Sequence, residues 1–419
     1  MGSTKATFND MLNEYLTNEL MSEELIKRNW LFKNIEKVTG WKGGTVPVPF
    51  TGAKATSAKF GGLTPESEIG EFKYVRGEIT TQKELWGSLI FNQKDLDRHQ
   101  TGKVNEDTFL KILPGQMETF MGYMEEIVSV NLLQGSSFAS ASAAGNASGV
   151  IAVDRVDRFE INQKCVIKDG ANEQALYVTA INIDELKVTL SATKGGAGFD
   201  LTAAPFSGAS KFYHDGVLEG GVAVNMFNNL KDALLSAANG GSASIHGQSK
   251  LAYPYLQAYN HDGSSITAAN ILDKAFDAFS EFKIRAKASK ANKLVMSFKN
   301  LGSIMKAIEV QKGAFKVTAT SSKAELYSWT EIEIVGVRGS FTIVGIQEMP
   351  DDVMMLLDMG SMKFLSNGLF EKRQAPDGKS YYELRSSTNG YQYIVDVRLY
   401  GELQVHAPAN NMIIHSISY

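Results

Sequence analysis

The chain has 419 residues, 43% hydrophobic and 21% charged, a globular composition with material enough for two or three domains or for one large domain carrying an insertion. A formal net charge of -4 and a pI near 6.0 exclude a dedicated nucleic-acid binder with a concentrated basic face, though not a surface that merely faces nucleic acid. Cys165, the only cysteine, rules out an intrachain disulfide framework and a Cys-based zinc site and fits a cytoplasmic origin, while the N-terminal stretch MGSTKATFNDMLNEYL has no apolar run of signal-peptide or membrane-spanning length.

Residues 8–38 read as one or two amphipathic helices, with Phe8, Met11, Leu12, Tyr15, Leu16 and Leu20 at three-to-four spacing, followed by Leu25, Ile26 and Trp30. From Trp41 to Phe91 the pattern is a long two-stranded arm. Val46, Val48 and Phe50 alternate on the way out, and Tyr74, Gly77, Ile79 and Leu85 accompany the return; between them lies a polar, Gly-rich stretch. A two-stranded ribbon is marginal in water by itself, so the arm needs a surface, and a neighbouring copy of the chain is the simplest one. Leu110, Leu113, Met117, Phe120, Met124 and Ile127 then hold to helical spacing between Asp107 and Leu133; Pro114 should kink or begin this helix, which places its long regular part at 114–134 and its end at Gly135.

Residues 136–149 are a small-residue linker, and the composition changes beyond it. Short β-like runs at Arg158–Ile161, Lys164–Lys168, Ala175–Ile181 and Leu186–Ser191 suggest a small antiparallel barrel, with Lys194–Gly198 and Ala203–Ser210 as its flexible exit. After Gly220 the pattern is mixed. Val224, Phe227, Leu230, Leu234 and Ala238 mark a helix ending at Asn239; a second, from Ile271 to Phe279, is one that Thr267 could cap. Lys293–Ser297 reads as a buried strand leading into a helix at 299–310. Glu331–Val337 and Ser340–Gln347 pair across Arg338-Gly339, Val353–Leu357 is a third strand, Tyr391–Val405 a long alternating one, and Met412–Ile414 a closing apolar run.

This order resembles the major capsid protein of tailed double-stranded DNA phages, the Hong Kong 97-type fold. The residues carrying the resemblance are the arm at 41–91, the helix at 114–134, EIEIVGVRGSFTIVGIQEMPDDVMMLLD at 331–358, and YIVDVRLYGELQVHAPANNMII at 393–414. The segment 151–212 resembles the β domain inserted in some short-tailed phage coat proteins. The resemblance implies an α+β fold divided into an N-terminal helical arm (1–40), an extended loop (41–91), a spine helix and peripheral domain (92–149), an inserted antiparallel β-barrel domain (150–215), an axial domain (216–385), and a peripheral strand with the C-terminus (386–419). It further implies a structural protein, not an enzyme, that self-assembles into hexamers and pentamers of an icosahedral head in the host bacterial cytoplasm. Its partners would be further copies of itself, a portal protein, and packaged double-stranded DNA bound on the inner face without sequence specificity; decoration proteins are an option, and no membrane is involved. Because the chain begins at Met1, the expectation is a separate scaffolding protein instead of a cleaved N-terminal segment.

The chemistry-bearing constellations have bland readings that outweigh the sharp ones. His214-Asp215-Gly216 and His261-Asp262-Gly263 could ligate a metal, yet Asp-Gly is common turn chemistry. Gly195–Gly198 lacks the following Lys-Ser/Thr of a phosphate loop. Asp351-Asp352 reads as a solvated turn, and Met349, Met354, Met355, Met359 and Met362 as core or interface filler. Lys54, Lys59 and Lys73 could join a lysine–asparagine cross-link of the kind some relatives make, but they read first as solvated arm lysines that keep a strand edge soluble. No catalytic, cofactor-binding or metal-ligating residue is assigned and no cofactor is expected. Phe60, Leu63 and Phe72, the large apolar residues near the end of the arm, are the candidate inter-subunit contacts. The alternatives are an encapsulin-like compartment, an α/β enzyme with an appended β domain, and a phage tail or adhesion module.

Overall fold

The computed structural model describes residues 18–50, 75–92, 106–202, 206–286, 289–310, 316–319, 329–336, 339–374, 382–387 and 390–419. Two compact units divide the chain: Met1–Ser129 with Asn228–Tyr419, and Val130–Phe227.

The first unit contains a seven-stranded sheet in the order Tyr259–Asp262, Met412–His415, Met354–Leu357, Lys293–Met296, Gly339–Ile346, Trp329–Gly336, Lys316–Ala319. Its middle strands are unbroken apolar runs because both their faces are covered. Met354, Leu356, Phe341, Ile343, Met412 and Ile414 meet the helix Ile271–Arg285, whose Ile271, Leu272, Ala275, Ala278, Phe279 and Phe282 recur at helical spacing; Met355, Leu357, Val295 and Ile413 are just as buried on the other face. Two pairings are parallel, Tyr259–Asp262 with Met412–His415 and Lys293–Met296 with Gly339–Ile346. Thr267 does not cap the helix at 271; its N–H donates instead to Oδ1 of Asn270, the residue at the cap position.

A second, six-stranded sheet is organised by one strand, Gly390–Val405. Lys83–Asn92 lies antiparallel to it over ten pairs, from Asn92↔Gln392 to Lys83↔Gly401. The other edge takes Glu383–Ser387, Phe370–Lys372 and Met362–Leu365 in turn, and Glu36–Val38 adds in parallel to the last of these. Alternation along Lys83–Asn92 places Leu89 and Phe91 inward and Trp86, Ser88 and Ile90 outward. Gly87 lets the long helix Glu106–Gln134 approach closely: a Cβ there would stand 2.6 Å from Met124 Sδ and from Phe120 Cζ.

These elements correct several expectations. The long helix begins before Pro114, whose missing N–H removes one rung without ending it. The N-terminal helical stretch is two helices, Asn18–Arg28 and Trp30–Asn34, then a strand, with residues 1–17 outside the described residues. Among the described residues the ribbon of the arm pairs Val46–Phe50 with Val75–Ile79; Leu85 belongs to the six-stranded sheet. The helix expected around 224–238 is a single turn-and-a-half, Leu230–Leu234, because Asn229 caps it by accepting from the Asp232 N–H, and the residues before it form short strands.

The second unit is an antiparallel sheet in the order Ser137–Ser140, Lys211–His214, Lys164–Asp169, Asn172–Asn182, Lys187–Ser191, Val150–Ala152. Its first and last strands meet at the Ala141↔Val153 bridge, with Ser142 N–H donating to Ala152 O and Asp154 N–H to Ser140 O, each at 2.9 Å. Ile151, Cys165, Ile167, Leu176, Val178, Val188, Leu190 and Phe212 all point to one core, where Phe138, Phe159 and Phe212 make edge and tilted ring contacts. Ser137–Ser140, expected as linker, is a strand, and Arg158–Ile161, expected as a strand, is a turn. Arg158 is drawn inward instead, donating to Phe138 O at 2.7 Å and to Gln134 Oε1. The Gly-rich run is not a loose exit: Gly198 bridges Ser191, Phe199 N–H donates to Leu190 O at 2.7 Å, and a Cβ on Gly198 would lie 1.8 Å from Ser148 O.

Candidate interlocking site

The ribbon Val46–Phe50/Val75–Ile79 is seated at its root on the tight turn between Ser244–Ile245 and Gln248–Ser249. His246 and Gly247, at φ 46° and 79°, occupy the two central positions of that turn, both in the left-handed region that a two-residue hairpin of matching twist requires. His246 O accepts from Glu78 N–H at 2.9 Å, Gln248 Nε2 donates to Arg76 O at 2.8 Å, and the His246 ring stacks on Phe50 at 6.0 Å and 19°. Gly77 makes room, since a Cβ there would stand 2.7 Å from Phe50 Cε2 and 2.8 Å from His246 O. Val48, Phe50 and Ile79 are buried in consequence. Part of the surface the arm needs thus comes from its own chain.

The same turn finishes the edge of the long strand. Past Gly401 the strand has run beyond its pairing with Lys83–Asn92, and the N–H groups of Leu403 and Val405, two residues apart, point to that same edge. His246 Nε2 accepts from Val405 N–H at 3.0 Å, and Glu402 Oε1 accepts from Leu403 N–H at 3.1 Å and from Asn228 N–H. Burial favours the neutral form of each, pushing His246 down to about 4 and Glu402 up to about 8.

The outward face of the six-stranded sheet is laced with charge and aromatic contacts. Arg398 lies over Trp86 at 5.6 Å and over Tyr400 at 4.3 Å and pairs with Glu371 at 3.2 Å; Arg373 lies 6.0 Å from Trp86 and 3.6 Å from Asp396, which accepts from Ser88 Oγ at 2.6 Å. Trp86 and Ile90 stay exposed on it, at 43% and 56%. On the inward side, Asn29 caps Trp30–Asn34 through its Oδ1 and donates to Ser129 Oγ at 2.5 Å, Ser129 donates to Glu125 Oε1 at 2.9 Å, and Arg28 pairs with Glu118 at 2.8 Å, tying the N-terminal helices to the long helix. Burial raises the Glu125 carboxyl, against the lowering by Ser129 and Arg28.

The residues that the sequence singled out disperse. Phe60, Leu63, Phe72, Lys54, Lys59 and Lys73 lie outside the described residues. His214 is sequestered, its ring stacked on Phe138 at 4.4 Å and pushed by burial down to about 4, while Asp215 pairs with Lys164 at 3.0 Å. Asp262 accepts from the N–H and hydroxyl of Ser264, and Asp352 pairs with Lys231 at 2.9 Å. Met349, Met354, Met355 and Met362 are core residues at 0% exposure. Cys165 is buried and its thiol pushed up to about 12. Among the described residues no group of three His, Cys, Asp or Glu is placed to hold a metal, and no helix is long and apolar enough to cross a membrane. His246 and Glu402, by contrast, were not singled out; the one local signal was the turn dipeptide His246-Gly247.

No protein-family model matches the chain, and no curated protein matches it either. Among solved structures, similar chains come from capsids, phage capsids among them, and from an encapsulin. One is the cyanophage A-1(L) capsid asymmetric unit, at 11% identity and TM-score 0.42, covering 92% of this chain and 91% of that one. Another is the capsid of the native GTA particle, at 9% identity and TM-score 0.43, covering 92% and 89%. A third is the holo-SrpI encapsulin complex from Synechococcus elongatus PCC 7942, at 9% identity and TM-score 0.39, covering 93% and 87%.

Proposed function

We propose that this chain is a shell-forming structural subunit, the major coat protein of a tailed phage, acting by burial and interlocking instead of catalysis. The observation that carries the reading is the ribbon: two strands seated on the His246 turn are joined by residues 51–74, whose composition is polar and Gly-rich. A subunit has little use for such a ribbon unless it reaches a partner, and a second copy is the partner this reading assigns, with Phe60, Leu63 and Phe72 as the contacts. The strongly displaced titratable groups support the same reading, because His246, Glu402 and His214 are spent on backbone hydrogen bonds and ring packing.

On this reading Val130–Phe227, wider than the 150–215 drawn from sequence, is an inserted β domain whose edge strands close it as a barrel. The seven-stranded unit is the axial domain, and the long strand with the long helix is the peripheral one. The assembled product is an icosahedral head of hexamers and pentamers around double-stranded DNA, built in the host cytoplasm with a separate scaffolding protein and a portal. The test is assembly of the purified chain with its scaffolding protein, followed by negative-stain microscopy and assay of particles from infected cells for DNA. Closed particles filled with DNA support the reading; closed particles filled with a protein cargo would make the chain a cellular compartment, and a stable monomer under all conditions would overturn both.

A further inference from the structure

Three segments that are distant in sequence converge on one residue. The ribbon contributes Phe50, Gly77 and Glu78 N–H, the turn contributes His246 itself, and the long strand contributes Val405 N–H; of these, the bond from Val405 is accepted by the ring nitrogen Nε2. An imidazole that accepts through Nε2 must be unprotonated there. Protonating it would turn the acceptor into a donor facing another donor, and would bury a charge where the ring stacks on Phe50.

Among the described residues, the charged and titratable groups around the ring offer it no counter-ion. From the ribbon, Arg76 and Glu78 pair with each other at 3.7 Å and are 66% and 51% exposed. From the long strand comes Glu402, which burial keeps protonated up to about pH 8, and just past its end His406, which disfavours a second positive charge. Lys363 on the adjacent strand pairs with Glu36 at 2.9 Å, Lys83 stands at the end of its own strand, and Lys250, next to the turn, donates to the carbonyls of Asp232 and Leu235.

We propose that His246 is an acid-releasable latch: in its neutral form it fixes the turn that carries the ribbon to the end of the long strand, and protonation frees turn and ribbon while leaving the sheet beneath intact. The sheet survives because the ten pairs between Lys83–Asn92 and Gln392–Gly401 do not involve His246. The sign follows from linkage. The folded-state value lies below that of a free histidine, so the latch is fully engaged above about pH 6.5 and is lost as pH falls toward 4.

The test is hydrogen–deuterium exchange of the full chain between pH 7 and 4, corrected for intrinsic rates, comparing peptides spanning 46–50 and 75–79 with those spanning 83–92. Ribbon opening should rise about tenfold per pH unit below 6.5, with 83–92 unchanged. In His246→Gln, which keeps a side-chain acceptor but cannot titrate, and in His246→Phe, which keeps a ring but no acceptor, the ribbon should exchange with no such pH slope. A flat wild-type profile overturns the proposal, as does loss of protection at 83–92 in step with the ribbon or a slope that persists in either variant. If neither variant folds, the wild-type comparison of the two regions decides alone.

Discussion

Glu402 is the residue where burial and bonding most visibly oppose each other. Its carboxyl is enclosed at 3% exposure, yet it accepts two backbone N–H bonds, which favour the anion; desolvation is the larger effect and lifts it to about 8. A carboxyl raised above its unfolded value near 4.5 contributes stability that is complete below that value and is lost as pH rises through 8. Glu402→Gln keeps the acceptor without the charge, so chemical denaturation of the variant should show a flatter stability profile between pH 5 and 8.5 than the parent. An unchanged slope would mean that the carboxyl is not the group responsible. His214 has the opposite sign: depressed from 6.5 to about 4, it contributes roughly 3 kcal/mol above pH 6.5 that drains away toward pH 4, and His214→Phe, which retains the stack on Phe138, should remove that acid sensitivity from the second unit. Gly401 shows how tightly the long strand is packed. A Cβ there would stand 2.3 Å from the Phe364 ring and 2.9 Å from Leu365 O, and Phe364 is itself held edge-on by Phe32 at 4.7 Å. Gly401→Ala should cost on the order of 1–3 kcal/mol by overpacking, measured as a shift in the denaturation midpoint.

Elements with one strong period were legible in the sequence and those set by a single side chain were not. Met354–Leu357 and Lys293–Met296 announce themselves as apolar runs because both faces of the central sheet are covered, and the long strand shows alternation that matches its one polar face. Arg158–Ile161 looked like a strand, but the guanidinium of Arg158 bends it into a turn by bonding inward to Phe138 O. Ser137–Ser140 looked like linker because its residues are small, although Phe138 is at 1% exposure and closes the core. The root of the ribbon could not be read at all: nothing near residue 246 points to residues 50, 78 and 405, and a lone His-Gly pair is ordinary turn chemistry. The arm makes its own prediction. Phe60→Ala or Phe72→Ala should weaken assembled particles, at about 2 kcal/mol for a central contact, while circular dichroism of the unassembled chain stays that of the parent. Equal losses in both would place these residues in the subunit's own core.

The whole molecule contains a seven-stranded sheet covered on both faces, a sheet organised by one sixteen-residue strand, an antiparallel unit, and a ribbon seated on the His246 turn. The central claim is that these parts serve assembly. The most direct measurement is cryo-electron microscopy of particles formed by the purified chain with its scaffolding protein, read for the path of residues 46–79. The account predicts closed shells in which the ribbon leaves the His246 turn and residues 60, 63 and 72 lie against a neighbouring copy. Shells in which this segment folds back onto its own subunit, or a chain that stays monomeric, would contradict it.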